Sequence, residues 1–127
     1  FNTALVVPIY IIGKVRKWMQ SRGGIEAIRS KAEAKANILY QAIDTSDGDY
    51  HCPVDFQSRS VMNVVFRLPS EDLEKTFLTQ AGEEKLLNLK GHRSVGGCRA
   101  SIYNAMQREG VQALADFMAT FRLAHPD

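Results

Sequence analysis

Cysteine is scarce in this chain of 127 residues: Cys52 and Cys98 stand far apart, in no CxxC or Cys/His spacing. That excludes a disulfide framework and a zinc site, and it makes a reducing, intracellular setting the expectation. Long apolar runs are missing as well. The longest near the start, Ala4 to Ile12, falls far short of the ~20 residues a membrane-crossing helix needs, and its basic residues follow rather than precede it. Neither a membrane nor a signal peptide is expected. A strong excess of one charge is lacking, since 16 Lys and Arg face 14 Asp and Glu for a net charge of +2. Nucleic-acid footprints carry a concentrated basic excess, so no nucleic acid partner is expected and any anion site has to be local. The phosphate-binding spacings GxxxxGK[ST] and GxGxxG are absent. Methionine is absent from the first position, Phe1. The expected start lies upstream, where an organellar address would also lie; otherwise the expected location is the cytoplasm.

What the chain does have is a globular balance, 45% hydrophobic and 24% charged, suited to one domain with a modest core. Val7, Ile11, Val15, Trp18 and Met19 recur at helical spacing over residues 6–20, and Gly23-Gly24 ends that run. Trp18 on this stripe reads as a core residue. A second helix is expected from Gly24 to Ile43 on the stripe Ile25, Ile28, Ala32, Ala36, Leu39 and Ile43.

Turn residues fill 44–49, and Tyr50 to Val54 is a short strand candidate cut by Pro53. A clearer strand runs from Val61 to Leu68, with Met62, Val64, Phe66 and Leu68 facing one way and Asn63 and Arg67 the other. Ser70 is placed to cap a helix whose Glu71 and Asp72 suit the positive end of its dipole, with Leu73, Phe77 and Ala81 inward. Leu86 to Leu89 and Arg99 to Tyr103 read as two more strands. A last helix from about Glu109 to Ala124 carries Val111, Leu114, Ala115, Met118 and Phe121 on one stripe. Together these elements predict an α+β fold, a small sheet with helices on one face.

One span is one-signed. From Lys85 to Arg108 there are Lys85, Lys90, His92, Arg93, Arg99 and Arg108, with no Asp or Glu, and Gly91, Gly96 and Gly97 lie among them. Glycines let backbone N–H groups approach an anion, and an arginine meets a carboxylate or phosphate with a two-pronged fork. The alternative is a tight loop whose arginines sit in water. His51 and His125 have no partner pattern and read as surface residues. Cys98 stands beside Arg99, which would favour its thiolate, yet a small residue filling a strand position explains it as well.

The stretch Gly91-His92-Arg93-Ser94-Val95-Gly96-Gly97-Cys98-Arg99-Ala100-Ser101-Ile102-Tyr103-Asn104-Ala105 resembles a motif of the phosphoserine aminotransferases. Cys52-Pro53-Val54, Arg59-Ser60 with Met62-Asn63-Val64, Gly23-Gly24 and Asn2-Thr3 are similar to other parts of that family; Ala4-Leu5 stand where it has Pro-Pro. The resemblance covers essentially all of this chain and the C-terminal third or so of the family's length. It implies the small C-terminal domain of a fold-type-I pyridoxal-phosphate enzyme, with a short, mainly antiparallel sheet, residues 1–23 forming an interdomain helix region, and the large cofactor-binding domain lying elsewhere.

The same resemblance implies a homodimer that moves an amino group between glutamate and 3-phosphohydroxypyruvate, giving phosphoserine and 2-oxoglutarate in serine biosynthesis. Arg99 would clamp the substrate α-carboxylate, and His92 and Arg93 would reach its distal phosphate or carboxylate from the neighbouring subunit. Asn2 and Thr3 would contact the phosphate of pyridoxal 5'-phosphate. No lysine here falls in the family's Schiff-base motif, and helix-face lysines such as Lys14, Lys17, Lys31, Lys35 and Lys75 read as solvated. The chain alone is therefore expected to be inactive. The alternative from another class is a stand-alone anion-binding or dimerising module that does no catalysis.

Overall fold

A computed structural model of the chain describes residues 5–126. Two compact units are distinguished, Phe1–Lys31 and Ala32–Asp127. The first holds α1 (Val6–Ser21) and the start of α2 (Gly24–Asp44). Pro8 sits in the first turn of α1, where its missing N–H costs no intrahelical bond. Gly23 and Gly24 both have left-handed backbones (φ 95° and 79°), the conformation that stops α1 and starts α2 afresh. The periodic residues of α1 form a helix but no core: none is buried, and Trp18, read as core from its spacing, is 37% exposed.

In the second unit, the rest of α2 is followed by β1 (Asn63–Phe66), α3 (Glu71–Glu83), β2 (Cys98–Ser101) and α4 (Arg108–Ala124). The two strands pair antiparallel, with Val64 opposite Ala100 and Val65 opposite Arg99. Alternation along the strands sends Val64, Phe66, Cys98 and Ala100 to a buried face and leaves Asn63, Val65, Arg99 and Ser101 half-buried on the other. Helices pack on the buried face, so the fold is α+β. Its centre is aromatic. Phe77 is fully buried and meets Phe66 and Phe121 edge-on, at ring distances of 5.6 and 5.0 Å. Tyr50 joins them and donates its hydroxyl proton to the Met118 carbonyl at 2.9 Å, which keeps a buried polar tip paired. Truncating Phe77 to Ala would cost about 3–5 kcal/mol.

Local chemistry sets the element ends much as the sequence implies. Ser70 Oγ accepts the Leu73 N–H at 3.2 Å, capping α3. Other details differ. The strand expected over 61–68 narrows to Asn63–Phe66, and the candidate at 50–54 contributes only the bridge between His51 and Arg67. Leu86 to Leu89 is not a strand. Lys85 and Asn88 both adopt left-handed backbones (φ 63° and 62°), and the Leu86 N–H turns back to the Ala81 carbonyl at 2.8 Å to close α3. A run broken at two such positions cannot stay extended, and only the bridge between Lys90 and Cys98 remains.

His125 is no lone surface residue, since its ring stacks on Phe121 at 4.2 Å. At the end of α2, Arg59 grips Asp44 with two hydrogen bonds of 2.6 and 2.7 Å and lies over the Tyr40 ring. Among the described residues no helix is long and apolar enough to cross a membrane, and no group of His, Cys, Asp and Glu is arranged to hold a metal ion.

Candidate functional site

The glycine-bearing loop before β2 is built by its own backbone. The Gly91 N–H donates to the Gly97 carbonyl at 2.8 Å, and the Arg99 N–H donates to the Leu89 carbonyl at 2.7 Å, so the two loop ends lie side by side. Between them the His92 carbonyl accepts the N–H groups of Val95 and Gly96 at 2.9 and 2.8 Å. A Cβ at Gly91 would run into the carbonyls of Gly96 and Gly97, so only glycine fits there. Gly97 has φ 68° and backs onto the Phe66 carbonyl, which explains the second requirement for glycine.

His92 and Arg93 project from this loop and are exposed. The His92 ring nitrogen Nδ1 lies 2.7 Å from Ser94 Oγ, a contact that orients the imidazole. Both residues wall an open cavity of about 420 Å³, together with Arg67, Lys90, Glu71 and Glu74. Three of these, Arg67, Glu71 and Glu74, were not apparent as site residues in the sequence. Arg67 donates from its guanidinium to the Val95 carbonyl and so braces the loop from the end of β1. Glu71 and Glu74 come from α3, so the span that is one-signed in sequence is partly neutralised in space. Arg67 carried a signal, being a cation on the polar side of a strand, but nothing in the sequence paired it with a loop far downstream.

Arg99 stands apart from that cavity. It lies on the half-buried face of the sheet, directly opposite Val65, while Ser101 on the same face donates to Asn63 Oδ1 at 3.2 Å. Its Nε is buried without a hydrogen-bond partner, and no ion pair to another described residue engages it. A buried guanidinium nitrogen left unpaired costs free energy that an incoming anion would recover. Cys98 points to the opposite, core side, where burial pushes its thiol pKa up to about 12. The small-residue reading of Cys98 fits that position, and a thiolate favoured by Arg99 does not.

Lysine chemistry is resolved differently from the expectation. Lys35 is buried rather than solvated, and its ammonium donates to the carbonyls of Ile102, Tyr103 and Met106 at 3.1, 2.7 and 2.9 Å. Desolvation lowers its pKa. All three of its protons are engaged, so it is not free to form an imine. Lys14, Lys17, Lys31, Lys75, Lys85 and Lys90 are exposed. Exposure leaves these amines free to react, so the described residues single out no lysine as a covalent holder of pyridoxal phosphate, and Asn2 and Thr3 lie outside the described residues.

The model of the class-V aminotransferases matches residues 1–114. The chain is 54% identical over 125 residues to the phosphoserine aminotransferase of Laribacter hongkongensis, covering 98% of this chain and 35% of that protein. It is 47% identical to the one from Lysinibacillus sphaericus, again over 98% of this chain and 34% of the relative. The chain thus spans about a third of the length of the curated relatives it matches. Among solved structures, the phosphoserine aminotransferase from Bacillus circulans subsp. alkalophilus superposes with a TM-score of 0.91 at 48% identity, covering 97% of this chain and 34% of that one. A pyridoxal-phosphate-bound phosphoserine aminotransferase from Trichomonas vaginalis gives 0.83 at 37% identity, covering 94% of this chain and 34% of that one.

Proposed function

The chain belongs to the class-V aminotransferase family, and from that premise we propose that it is the C-terminal, substrate-recognising part of a phosphoserine aminotransferase. In this reading it acts in the cytoplasm as part of a homodimer on glutamate, 2-oxoglutarate, phosphoserine and 3-phosphohydroxypyruvate. Residues 1–23 form the helix region that leads to the rest of the enzyme. The observation that carries the reading is Arg99, a half-buried arginine inside the family-like stretch with which no described carboxylate forms an ion pair.

Arg99 binds and orients the substrate α-carboxylate with its planar fork. His92 and Arg93, exposed on a loop that glycines hold in shape, meet the distal phosphate or carboxylate of a substrate bound at the neighbouring subunit. Asn2 and Thr3 would contact the cofactor phosphate. Pyridoxal phosphate, where it is bound, supplies the electron sink that amino transfer needs. The part of this chain is recognition: fixing both ends of a dianionic substrate orients the carbon between them.

A second reading, a stand-alone dimerising module, is favoured by one observation: α1 exposes Val6, Val7, Ile9, Ile11 and Ile12. A hybrid protein separates the two. The C-terminal third of the Laribacter hongkongensis relative is replaced by this chain, and phosphoserine formation from glutamate and 3-phosphohydroxypyruvate is measured. Turnover close to the relative's own supports the enzyme reading. A folded, dimeric hybrid without turnover rejects it and leaves the module. The 127-residue chain alone, mixed with pyridoxal phosphate, is expected to form no phosphoserine.

A further inference from the structure

Lys35 is unusual because α2 buries its charge while no described carboxylate forms an ion pair with it. The three acceptors around it are all main-chain carbonyls, and they come from the short segment that leaves β2 and enters α4. Carbonyl oxygens aimed at one point repel each other unless a positive group lies between them. A buried carbonyl left without a donor also costs about 1–3 kcal/mol. The ammonium is therefore the group around which this turn takes its shape.

The turn is fastened on both sides. The Ile102 N–H donates to the Met62 carbonyl at 2.9 Å, tying it to the segment entering β1, and the Met106 N–H donates to the Tyr103 carbonyl at 2.9 Å, closing it on itself. β2 has only four residues and pairs with a β1 of the same length. So short a ladder frays readily at an unanchored end. The first carbonyl on the Lys35 ammonium belongs to Ile102, the residue that follows the strand carrying Arg99.

We propose that Lys35 is a positioning residue: a tethered monovalent cation that folds the turn between β2 and α4 and thereby fixes the strand from which Arg99 reaches its carboxylate. The proposal rests on the reading of Arg99 as the carboxylate-binding group. Lys35 touches neither substrate nor cofactor, and its action runs through the backbone alone. With the side chain removed, the same three carbonyl oxygens would be open to a small monovalent cation, since oxygen ligands without a formal charge are how proteins hold dehydrated monovalent cations.

Two measurements test this. In the unsubstituted 127-residue chain, nitrogen-15 NMR is expected to show one lysine ammonium whose protons exchange slowly with water at neutral pH, assigned by its loss in Lys35→Met. Finding every lysine ammonium in fast exchange would overturn the cradle.

In the hybrid enzyme, well below its unfolding midpoint, Lys35→Met and Lys35→Ala are expected to raise KM for glutamate by about fivefold or more, with kcat within about twofold of the parent. Ammonium chloride should return the KM of Lys35→Ala toward the parent value, and tetramethylammonium chloride at the same ionic strength should not. No change in KM, or recovery in both salts alike, overturns the positioning role. Arg99→Lys separates the two layers. If it leaves KM unchanged, the reading of Arg99 fails. If it raises KM while the Lys35 variants do not, the tether alone fails.

Discussion

Arg59 and Arg99 stand in two regions that share a description: each is a half-buried arginine with a buried, unpartnered Nε, Arg59 in the segment before β1 and Arg99 within β2. Their surroundings differ. Arg59 finds its carboxylate within the chain, gripping Asp44 at 2.6 and 2.7 Å while it lies 4.6 Å from the centre of the Tyr40 ring. Tyr40 in turn donates to the Ser60 carbonyl at 2.8 Å, so the group locks the passage from α2 to β1. Around Arg99 no described carboxylate takes that place. The contrast separates an arginine that completes a fold from one left open for a ligand, a distinction that exposure alone would miss.

The strongest way to break the contrast is to truncate Arg99. In the hybrid enzyme, Arg99→Ala is expected to lower kcat/KM about 100-fold, near 3 kcal/mol, the upper end for a hydrogen bond to a charged group. Urea unfolding of the 127-residue chain carrying the same substitution should move by no more than about 0.5 kcal/mol, because no internal partner is lost. A large stability loss with intact kinetics would reverse the assignment.

Arg59→Ala should do the opposite. Removing the fork leaves Asp44 without its partner and strips a cation from the Tyr40 ring, at a cost of about 1–2 kcal/mol after allowing for the exposure of the carboxylate. Below the unfolding midpoint the hybrid should keep kcat/KM within about twofold of the parent. Denaturation curves and initial rates measured on the same preparations check both halves.

The same contrast shows what the sequence could tell. Helical spacing located α1, α2 and α4 to within a residue or two, because an apolar stripe is a local signal, and Ser70 marked the start of α3 just as locally. The glycine loop was legible too, as a shape that glycines permit. Burial was not. Lys35 reads as one more helix-face lysine, although it lies one helical turn from both Ala32 and Leu39 on the buried stripe. That spacing was the available sign, but only the carbonyls of a turn far downstream explain why a cation is tolerated there. The strand expected at Leu86 to Leu89 failed for a related reason: it is broken by left-handed backbones at Lys85, which carries no mark of that conformation, and at Asn88, whose residue type favours it and was the available sign. Arg67 bracing Val95, and Glu71 and Glu74 entering the cavity of a basic loop, are likewise pairings across long sequence distance.

Acid titration sharpens the comparison on the Arg59 side. The hydrogen bonds from Arg59 hold the Asp44 carboxyl below its ordinary pKa. Between that depressed value and the unfolded value of about 3.9, the unfolded chain binds more protons than the folded one. The contribution of this pair is therefore fully present above the unfolded pKa and is lost as pH falls through the folded one. Unfolding free energy measured from pH 6 downward should decline across that window, and Asp44→Asn should flatten part of the decline. An unchanged profile in Asp44→Asn would remove the pair from the acid response.

The smallest effect belongs to the neighbour of Arg99. If proximity in sequence governed reactivity, Cys98 would be an activated thiol, since a guanidinium stands next to it. The pleat decides otherwise, sending Arg99 to one face of the sheet and Cys98 to the buried other, where desolvation pushes the thiol pKa up to about 12. Cys52 is half-buried at the margin of the core, with its sulfur 3.8 Å from the Val54 carbonyl. A maleimide added to the native chain at pH 8 should therefore couple once, at Cys52, and a second time only when denaturant opens the core. Mass spectrometry of the labelled chain reads this directly. Rapid labelling of Cys98 in the native state would mean that the Arg99 face and the core face are not separated as the pairing of Val65 with Arg99 requires.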